Sequence, residues 1–152
     1  MMRARTEVWF FSLPRTEVLL LDVPEKKAPR YLLCSETSAS MVFEYFTGRS
    51  YDPLELEKRG CDALETMLPC VPEELRCEIR EKPSWEEVVA ELRRGNPVQV
   101  RLLEKDTFHT VVARGMINRH LLVNDPSIGL RLISKEEFDE KVRRAMFCST
   151  SI

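Results

Sequence analysis

Three strand patterns follow one another closely in the second half of the chain. The runs "VQVRLL", "FHTVVARG" and "HLLVNDP" begin at residues 98, 108 and 120, and each is rich in β-branched and apolar residues. The last two bracket the stretch "MIN" at 116–118, a spacing typical of a β-hairpin. This part of the chain therefore predicts an antiparallel sheet.

Helical patterns come before the predicted sheet. From Cys34 to Phe46 apolar residues recur at helical spacing, and Gly48 is a typical helix end. "SWEEVVAELRRGNP" is the clearest helix, because Ser84 and Glu87 form a capping box and Gly95 ends the pattern. "YDPLELEKRG" and "CDALETMLPCVPEELRCEI" predict short helices and turns.

Helices followed by an antiparallel sheet define an α+β fold. The runs "TEVWFFSL" and "TEVLLLDV", split by Pro14, predict two N-terminal strands or a hairpin, and "SKEEFDEKVRRAM" predicts a closing helix with a capping box at Ser134 and Glu137. With 152 residues, we expect a single domain over 1–152. It would have N-terminal strands at 1–23, a helical half at 34–95 and a sheet half at 97–152 that contains the closing helix.

The charge balance excludes some classes of partner. Twenty-three basic and 25 acidic side chains give a net charge of -2, which argues against binding to nucleic acid or to an anionic membrane surface. No segment reaches the roughly 18 apolar residues that a membrane helix needs. Pro14, Arg15 and Glu17 interrupt what would be a signal-peptide core, so a cytoplasmic protein is expected. A scarcity of Gln and Asn beside many Glu, Arg and Lys fits a thermophile.

Five cysteines occur in the chain, at Cys34, Cys61, Cys70, Cys77 and Cys148. None form a C-x-x-C pair, so a structural zinc site is not expected. The odd count leaves at least one free thiol. Pairing among the three middle cysteines stays open, and in a reducing cytoplasm they are expected to be free.

Cys34 lies where the first predicted helix begins. A helix N-terminus lowers the pKa of a thiol, and the thiolate is the nucleophile. Small hydroxyl residues follow it, and of these Ser35 and Ser38 are expected to contact a substrate. The alternative is that Cys34 is a small buried apolar residue of the core.

His109 is the histidine that the predicted hairpin pairs with a carboxylate. If the turn is centred on Ile117, His109 faces Asp125 with Cβ atoms about 5 Å apart. The carboxylate would hold the imidazole's tautomer and stabilise its charged form. A register slip of one residue would bring Asn124 opposite instead, which can also orient an imidazole and is a predicted substrate contact. The alternatives are a structural role for His109 and an exposed position for His120, opposite Arg114 near the turn.

Four pieces of the sequence, in order, resemble the papain-like C39 peptidases and their C39-like relatives. "DVP" precedes the loop to the cysteine, and "CSETSASMVFEYF" resembles the family's nucleophile helix. "SWEEVVAELRRGNPVQV" resembles the helix and strand that carry a Gly-x-Pro-Val turn. "FHTVVARG" with "LLVNDPSIGLRLISKEEF" resembles the histidine strand, the Asp-Pro strand and the closing helix.

The resemblance implies a papain-like cysteine peptidase fold, with N-terminal helices packed on a C-terminal antiparallel sheet. It makes Cys34 the nucleophile, His109 the general base and acid, and Asp125 the orienting residue. The implied reaction is hydrolysis or transfer of a peptide or similar acyl group through a thioester on Cys34. The expected partner is therefore a peptide or protein substrate, and no metal or organic cofactor is implied. The oligomeric state stays open.

The sequence departs from the family at the oxyanion hole. The family's glutamine normally lies six residues before the cysteine, where this chain has Ala28. Losing one oxyanion donor typically costs about 100- to 1000-fold in rate. The backbone N–H of Cys34 would still donate, and Lys26, Lys27 or Arg30 are candidates for the missing donor.

Three functions follow from these observations. The first is a thiol hydrolase or acyltransferase with a weakened oxyanion hole. The second is a catalytically inactive C39-like domain that binds peptides or proteins, as the missing glutamine suggests. The third is a structural domain in which Cys34 is part of the core.

Overall fold

A computed structural model of the chain describes residues 9–13 and 16–150. This part contains four α-helices and one eight-stranded antiparallel sheet, which confirms the predicted α+β class. In chain order the elements are β1 (Trp9–Leu13), β2 (Thr16–Leu20), α1 (Cys34–Thr47), α2 (Pro53–Lys58), β3 (Leu75–Glu81), α3 (Trp85–Arg93), β4 (Val98–Glu104), β5 (Thr107–Ile117), β6 (His120–Asp125), β7 (Gly129–Ser134), α4 (Lys135–Lys141) and β8 (Val142–Thr150).

The sheet is organised around its longest strand, β5. The strand order is β1-β2-β5-β4-β8-β3, and β6 pairs with β5 and carries β7. β4 pairs with residues 107–113 of β5, and β2 pairs with residues 115–117. At Gly115 the two backbones come so close that an added Cβ would lie 2.2 Å from the carbonyl oxygen of Leu19. The N-terminal hairpin can therefore join the sheet only because residue 115 has no side chain.

The helix α1 packs its side chains into the core against β4, β5 and β6. Its aromatic residues Phe43, Tyr45 and Phe46 are buried, and the Tyr45 hydroxyl donates to the carbonyl of Gly95 at the end of α3, 2.7 Å away. Gly48 ends the helix with a left-handed φ of 76° and donates its N–H to Glu44. The predicted helix and its end are thus confirmed.

The capping boxes differ between α3 and α4. Ser84 and Glu87 exchange both hydrogen bonds at the start of α3, as predicted. At α4 the Ser134 hydroxyl accepts from the N–H of Glu137, but the Glu137 carboxylate accepts from Arg131 and Lys141 instead of closing the box.

Two predicted segments are wrong in their secondary structure. Residues 75–79, predicted as helix and turn, belong to strand β3, and the predicted closing helix ends at Lys141. The remaining "VRRAM" opens strand β8, which lies between β4 and β3. Arg, Ala and Met are good helix formers, but a position inside a sheet overrides propensity.

The hairpin register also differs from the prediction. Ile117 pairs with His120 around a two-residue turn, and Val112 pairs with Asn124. The turn is therefore centred after residue 118, where Asn118 has a φ of 56°. His120 consequently does not face Arg114.

Four of the five cysteines form disulfides, Cys61–Cys70 and Cys77–Cys148. The expectation of free thiols at Cys61, Cys70 and Cys77 is wrong, because each of them lies within bonding distance of a partner. Cys77 and Cys148 are paired residues of β3 and β8. Cys34 is the free cysteine of residues 16–150.

Among the described residues, no helix has both the length and the apolar character needed to cross a membrane.

Candidate active site

Cys34 is the first residue of α1, at the positive end of the helix. The chain enters the helix through Leu32, whose φ of 74° is unusual for a bulky residue, and through the buried Leu33. The backbone N–H of a first helical residue has no partner within its helix, so it is available to an oxyanion. The thiol itself is half-buried.

The thiol of Cys34 interacts with the imidazole of His109 of β5. Burial raises the pKa of Cys34, but hydrogen bonds to His109 and to the Thr110 backbone outweigh burial and hold that pKa below its ordinary value. Bonds to Asp125 and to Cys34 raise the pKa of His109 to about 9. At neutral pH the imidazole is therefore protonated beside an acidified thiol.

Asp125 binds the other side of the imidazole. Its Oδ1 lies 2.7 Å from His109 Nε2 and also accepts the N–H of Ser127 at 2.8 Å, while Oδ2 accepts from Arg131 at 3.2 Å. Burial raises the pKa of Asp125, but these bonds hold it below the ordinary value. Since Nε2 faces Asp125, Nδ1 is the nitrogen left for Cys34.

The His109–Asp125 contact forms although the predicted register was wrong. The observed pairs of residues 112–113 with 123–124 differ from the predicted ones by two residues. A shift of two keeps every side chain on its original face of the sheet, whereas a shift of one would not. Asp125 therefore lies diagonally from His109 on the same face, within reach of the imidazole.

Buried hydrogen bonds attach the first turn of α1 to the sheet. Ser35 Oγ lies 3.0 Å from Thr110 Oγ1, and Ser38 Oγ donates to the carbonyl of Thr110 at 3.1 Å. Gln99 of β4 donates from Nε2 to the carbonyl of Ser35 at 3.1 Å. These bonds position Cys34 beside His109, the residue next to Thr110.

The residues predicted to contact substrate make hydrogen bonds within the protein. Ser35, Ser38 and Asn124 are buried, with at most 8% of each residue exposed. Asn124 donates to the carbonyl of Pro24 at 3.2 Å and accepts from Arg114 at 3.2 Å, so it anchors the chain segment before α1. These hydrogen bonds give the three side chains a structural role, and their contact with a substrate stays a prediction.

Sequence reasoning missed Gln99, Thr110 and Arg131. Gln99 alone had a visible signal, since an amide between Val98 and Val100 on a strand buried on both faces needs a partner inside the protein.

The segment that carries Ala28 lies along the turn at residues 126–128, which follows Asp125 and is called the Asp-Pro turn here. The Ala28 N–H donates to the carbonyl of Pro126 at 2.9 Å. Of the predicted replacement donors, Lys26 is bound to Ser40 and Glu44, and Arg30 is paired with Glu57. Lys27 lines a pocket of about 320 Å³ together with Asp125 and the Asp-Pro turn. Cys34 and His109 do not line this pocket, so Lys27 as the missing donor stays a prediction.

Solved structures of C39 peptidases share this fold. A double-glycine motif protease from an AMS/PCAT transporter, in complex with the leader peptide, matches with a TM-score of 0.63 and 21% identity, covering 86% of this chain and 93% of that one. The peptidase domain of Streptococcus ComA, a bifunctional ABC transporter of a quorum-sensing pathway, gives a TM-score of 0.66 and 17% identity over 84% of this chain and 98% of that one. A Bacillus anthracis protein assigned as a C39-like peptidase gives 0.72 and 15%, covering 90% of this chain and all of the other, 100%.

The chain therefore has the papain-like fold of C39 peptidase domains, as its sequence motifs predict. No protein-family model matches the sequence, and no curated protein is significantly similar to it.

Proposed function

We propose that this chain is a C39-like cysteine peptidase or a related thiol hydrolase or acyltransferase. The observation that carries the proposal is the arrangement of Cys34 at the N-terminus of α1 beside His109, whose Nε2 lies 2.7 Å from Oδ1 of Asp125. A core cysteine needs no such partners, so the purely structural reading of Cys34 leaves this arrangement unexplained. Cys34 is the proposed nucleophile, His109 the acid and base, and Asp125 the orienting group.

The geometry supports a thioester mechanism. The Cys34 thiolate attacks the substrate carbonyl carbon, and the backbone N–H of Cys34 donates a hydrogen bond to the oxyanion that forms. As the C–N bond breaks, the His109 imidazolium gives its proton to the leaving amine. Water, or another acceptor in a transferase, then attacks the thioester while neutral His109 takes its proton, which restores the thiolate and the imidazolium.

The oxyanion hole is the weak part of the proposed site. Ala28 offers no side-chain donor, and its N–H is already bound to Pro126. We infer a slow enzyme, or one in which Lys27 or the substrate itself supplies the second donor. The loss of one donor is consistent with a rate about 100- to 1000-fold below that of a complete site.

A peptide or protein is the proposed substrate. One similar structure is a complex of a protease with the leader peptide, which supports a peptide as the ligand of this site. The net charge of -2 supports neither nucleic acid nor an anionic membrane as a partner.

A cytoplasmic location is compatible with two disulfides if the protein comes from a thermophile. Cytoplasmic disulfides are rare except in hyperthermophiles, and the scarcity of Gln and Asn in this sequence points in that direction. We infer a thermophilic cytoplasm. Recovery of the native protein from a secreted or periplasmic fraction would contradict this inference.

The second candidate function is a peptide-binding module without turnover, which Ala28 favours. Both functions predict the same fold, but they differ in the chemistry of Cys34.

The first experiment measures the rate at which iodoacetamide alkylates Cys34 between pH 4 and 10. The native disulfides leave one reactive thiol, so the signal comes from a single residue. We expect fast labelling well below the free-thiol pKa of about 8.5, slowed in His109→Ala and unchanged in the control His120→Ala. Labelling no faster than that of a free thiol would refute the enzyme.

Turnover is then tested with a panel of peptide and thioester acyl donors. The enzyme predicts an acyl-Cys34 adduct by mass spectrometry, absent in Cys34→Ser. An activated thiol that forms no adduct with any donor, while peptides still bind, would establish the binding module instead.

A further inference from the structure

Behind the proposed site lies a cluster of charged side chains that the mechanism above does not use. Arg131 of β7 is the centre of the cluster, and 17% of its side chain is exposed. Its two terminal nitrogens bind the carboxylate of Glu104 at 3.0 and 2.8 Å, and Nη2 also binds Glu137 at 3.1 Å. Lys141 binds the same two carboxylates at 3.0 and 2.8 Å.

Arg131 is the member of this cluster that reaches the proposed catalytic residues. Its Nη1 lies 3.2 Å from Oδ2 of Asp125, whose side chain is 2% exposed. Asp125 Oδ1 already accepts from His109 and from the N–H of Ser127. Arg131 therefore holds the second carboxylate oxygen, and with it the rotation of the carboxyl group about its Cβ–Cγ bond.

The charges around Asp125 come from four elements and from the segment before α1, whose Glu25, Lys26 and Lys27 line a pocket together with Asp125. His109 approaches from β5, Glu104 from the end of β4, Arg131 from β7, and Glu137 with Lys141 from α4. Glu104 and Glu137 lock the guanidinium in place, because three carboxylates converge on it. A planar guanidinium can serve several carboxylates at fixed angles, which a lysine cannot do.

We propose that Arg131 is a positioning residue that aims the Asp125 carboxylate at His109. This inference rests on the proposed function for its catalytic meaning, but its test does not require a substrate. It assigns Arg131 a role that acts through Asp125 and not by contact with the reacting atoms.

Positioning and simple charge predict opposite effects. If Arg131 acts only as a nearby cation, its positive charge offsets the stabilisation of the imidazolium by Asp125. Removal of Arg131 would then raise the pKa of His109. As a positioning residue, it keeps Oδ1 against Nε2, so its removal lets Asp125 rotate away and lowers the pKa of His109. The direction of the shift therefore decides between the two roles.

The experiment is an NMR titration of the histidine ring protons. The chain has two histidines, so a His120→Gln variant assigns both signals. His109 should titrate near the pKa of about 9 in the native protein. In Arg131→Met we expect it to fall by about one unit or more, toward the ordinary value, with partial recovery in Arg131→Lys.

Lys141→Met is the matched control. It removes bonds to Glu104 and Glu137 without touching Asp125, so the pKa of His109 should stay unchanged. Native circular dichroism for each variant shows that the fold is kept, and if Arg131→Met does not fold, Arg131→Lys carries the test.

An unchanged or raised pKa of His109 in a folded Arg131 variant, or an equal fall in Lys141→Met, would overturn the proposal. Labelling of Cys34 is recorded separately on the same proteins. A native Cys34 that is not activated would sink the proposed function while leaving the Arg131 titration interpretable. An activated Cys34 together with an unchanged pKa of His109 in the Arg131 variants would contradict only the positioning role of Arg131.

Discussion

Glu36, two residues after the proposed nucleophile, is a carboxylic acid inside the core. The residue is 1% exposed, and its Oε1 has no hydrogen-bond partner. Burial, with smaller effects from Glu57 and Asp62, raises its pKa to about 7. A buried carboxyl of this kind is neutral in mildly acidic solution and costs free energy when it ionises.

The pH dependence of stability should therefore carry a contribution from Glu36. Its pKa is higher in the folded than in the unfolded chain, so its contribution is complete below pH 4.5 and is lost as the pH rises through about 7. Glu36→Gln should raise the free energy of unfolding at pH 8 by up to roughly 3 kcal/mol, and by little at pH 5. Urea denaturation at the two pH values measures this.

Glu55→Gln on the exposed side of α2 is the control for Glu36→Gln and should show no such difference. An equal gain at both pH values would mean that packing, not ionisation, explains the effect.

At the scale of single residues, local patterns in the sequence bring together the three proposed catalytic residues but not the side chains that surround them. Cys34 follows from a helix start and His109 with Asp125 from strand alternation, and both are local patterns. The burial of Asn124, Ser35 and Ser38 could not be predicted, because a sequence does not show which polar side chains the core will use. Arg131 is one of many arginines in the sequence, and its contacts come from three different elements.

At the scale of elements, the pairing of β2 with β5 depends on Gly115. A Cβ at this position would overlap the Leu19 carbonyl oxygen, and neither backbone can move without breaking its ladder. Gly115→Ala should destabilise the protein by about 1–3 kcal/mol. The loss should concentrate at the N-terminal hairpin, seen as faster hydrogen exchange at Leu21, whose N–H donates to Arg114.

Gly60→Ala provides the comparison for the Gly115 substitution. Gly60 has open space around its Cβ position but a left-handed φ of 82°, so alanine there costs only about 1 kcal/mol of local strain. If the amide of Leu21 exchanges equally fast in both variants, the close pairing of β2 with β5 at Gly115 does not determine the stability of the N-terminal hairpin.

Elements with a strong local signal were predicted correctly, and those decided by distant partners were not. The helices α1 and α3 carry apolar periodicity and end signals within their own residues. β8 has a helix-like composition and becomes a strand because β4 and β3 hold it from both sides. β3 pairs only with β8 in the described sheet, so an error in one strand produced an error in the other.

At the scale of the whole molecule, the two disulfides should contribute unequally to stability. Cys77–Cys148 spans 71 residues and Cys61–Cys70 spans 9. From loop closure in the unfolded chain, they should stabilise by about 4 and roughly 3 kcal/mol. Guanidinium denaturation of the double serine variants Cys77→Ser/Cys148→Ser and Cys61→Ser/Cys70→Ser measures both.

A thiol count on the denatured, unreduced protein is the check on this prediction. Two disulfides leave one reactive thiol of the five, Cys34, and Cys34→Ser should leave none. A count of five would contradict the disulfides, and equal losses in the two double variants would contradict the loop-length argument.

The place of β8 in the sheet has a consequence for how the chain is made. β8 is the last strand in sequence but lies between β4 and β3, so the sheet cannot close until residues 142–150 have left the ribosome. During that interval one edge of β4 is unpaired and β3 has no partner strand. Cys77 is then a free thiol, because Cys148 has not yet been synthesised, and the thiol of Cys34 is already present. Until β8 is synthesised, the nascent chain must therefore avoid a disulfide between Cys34 and Cys77.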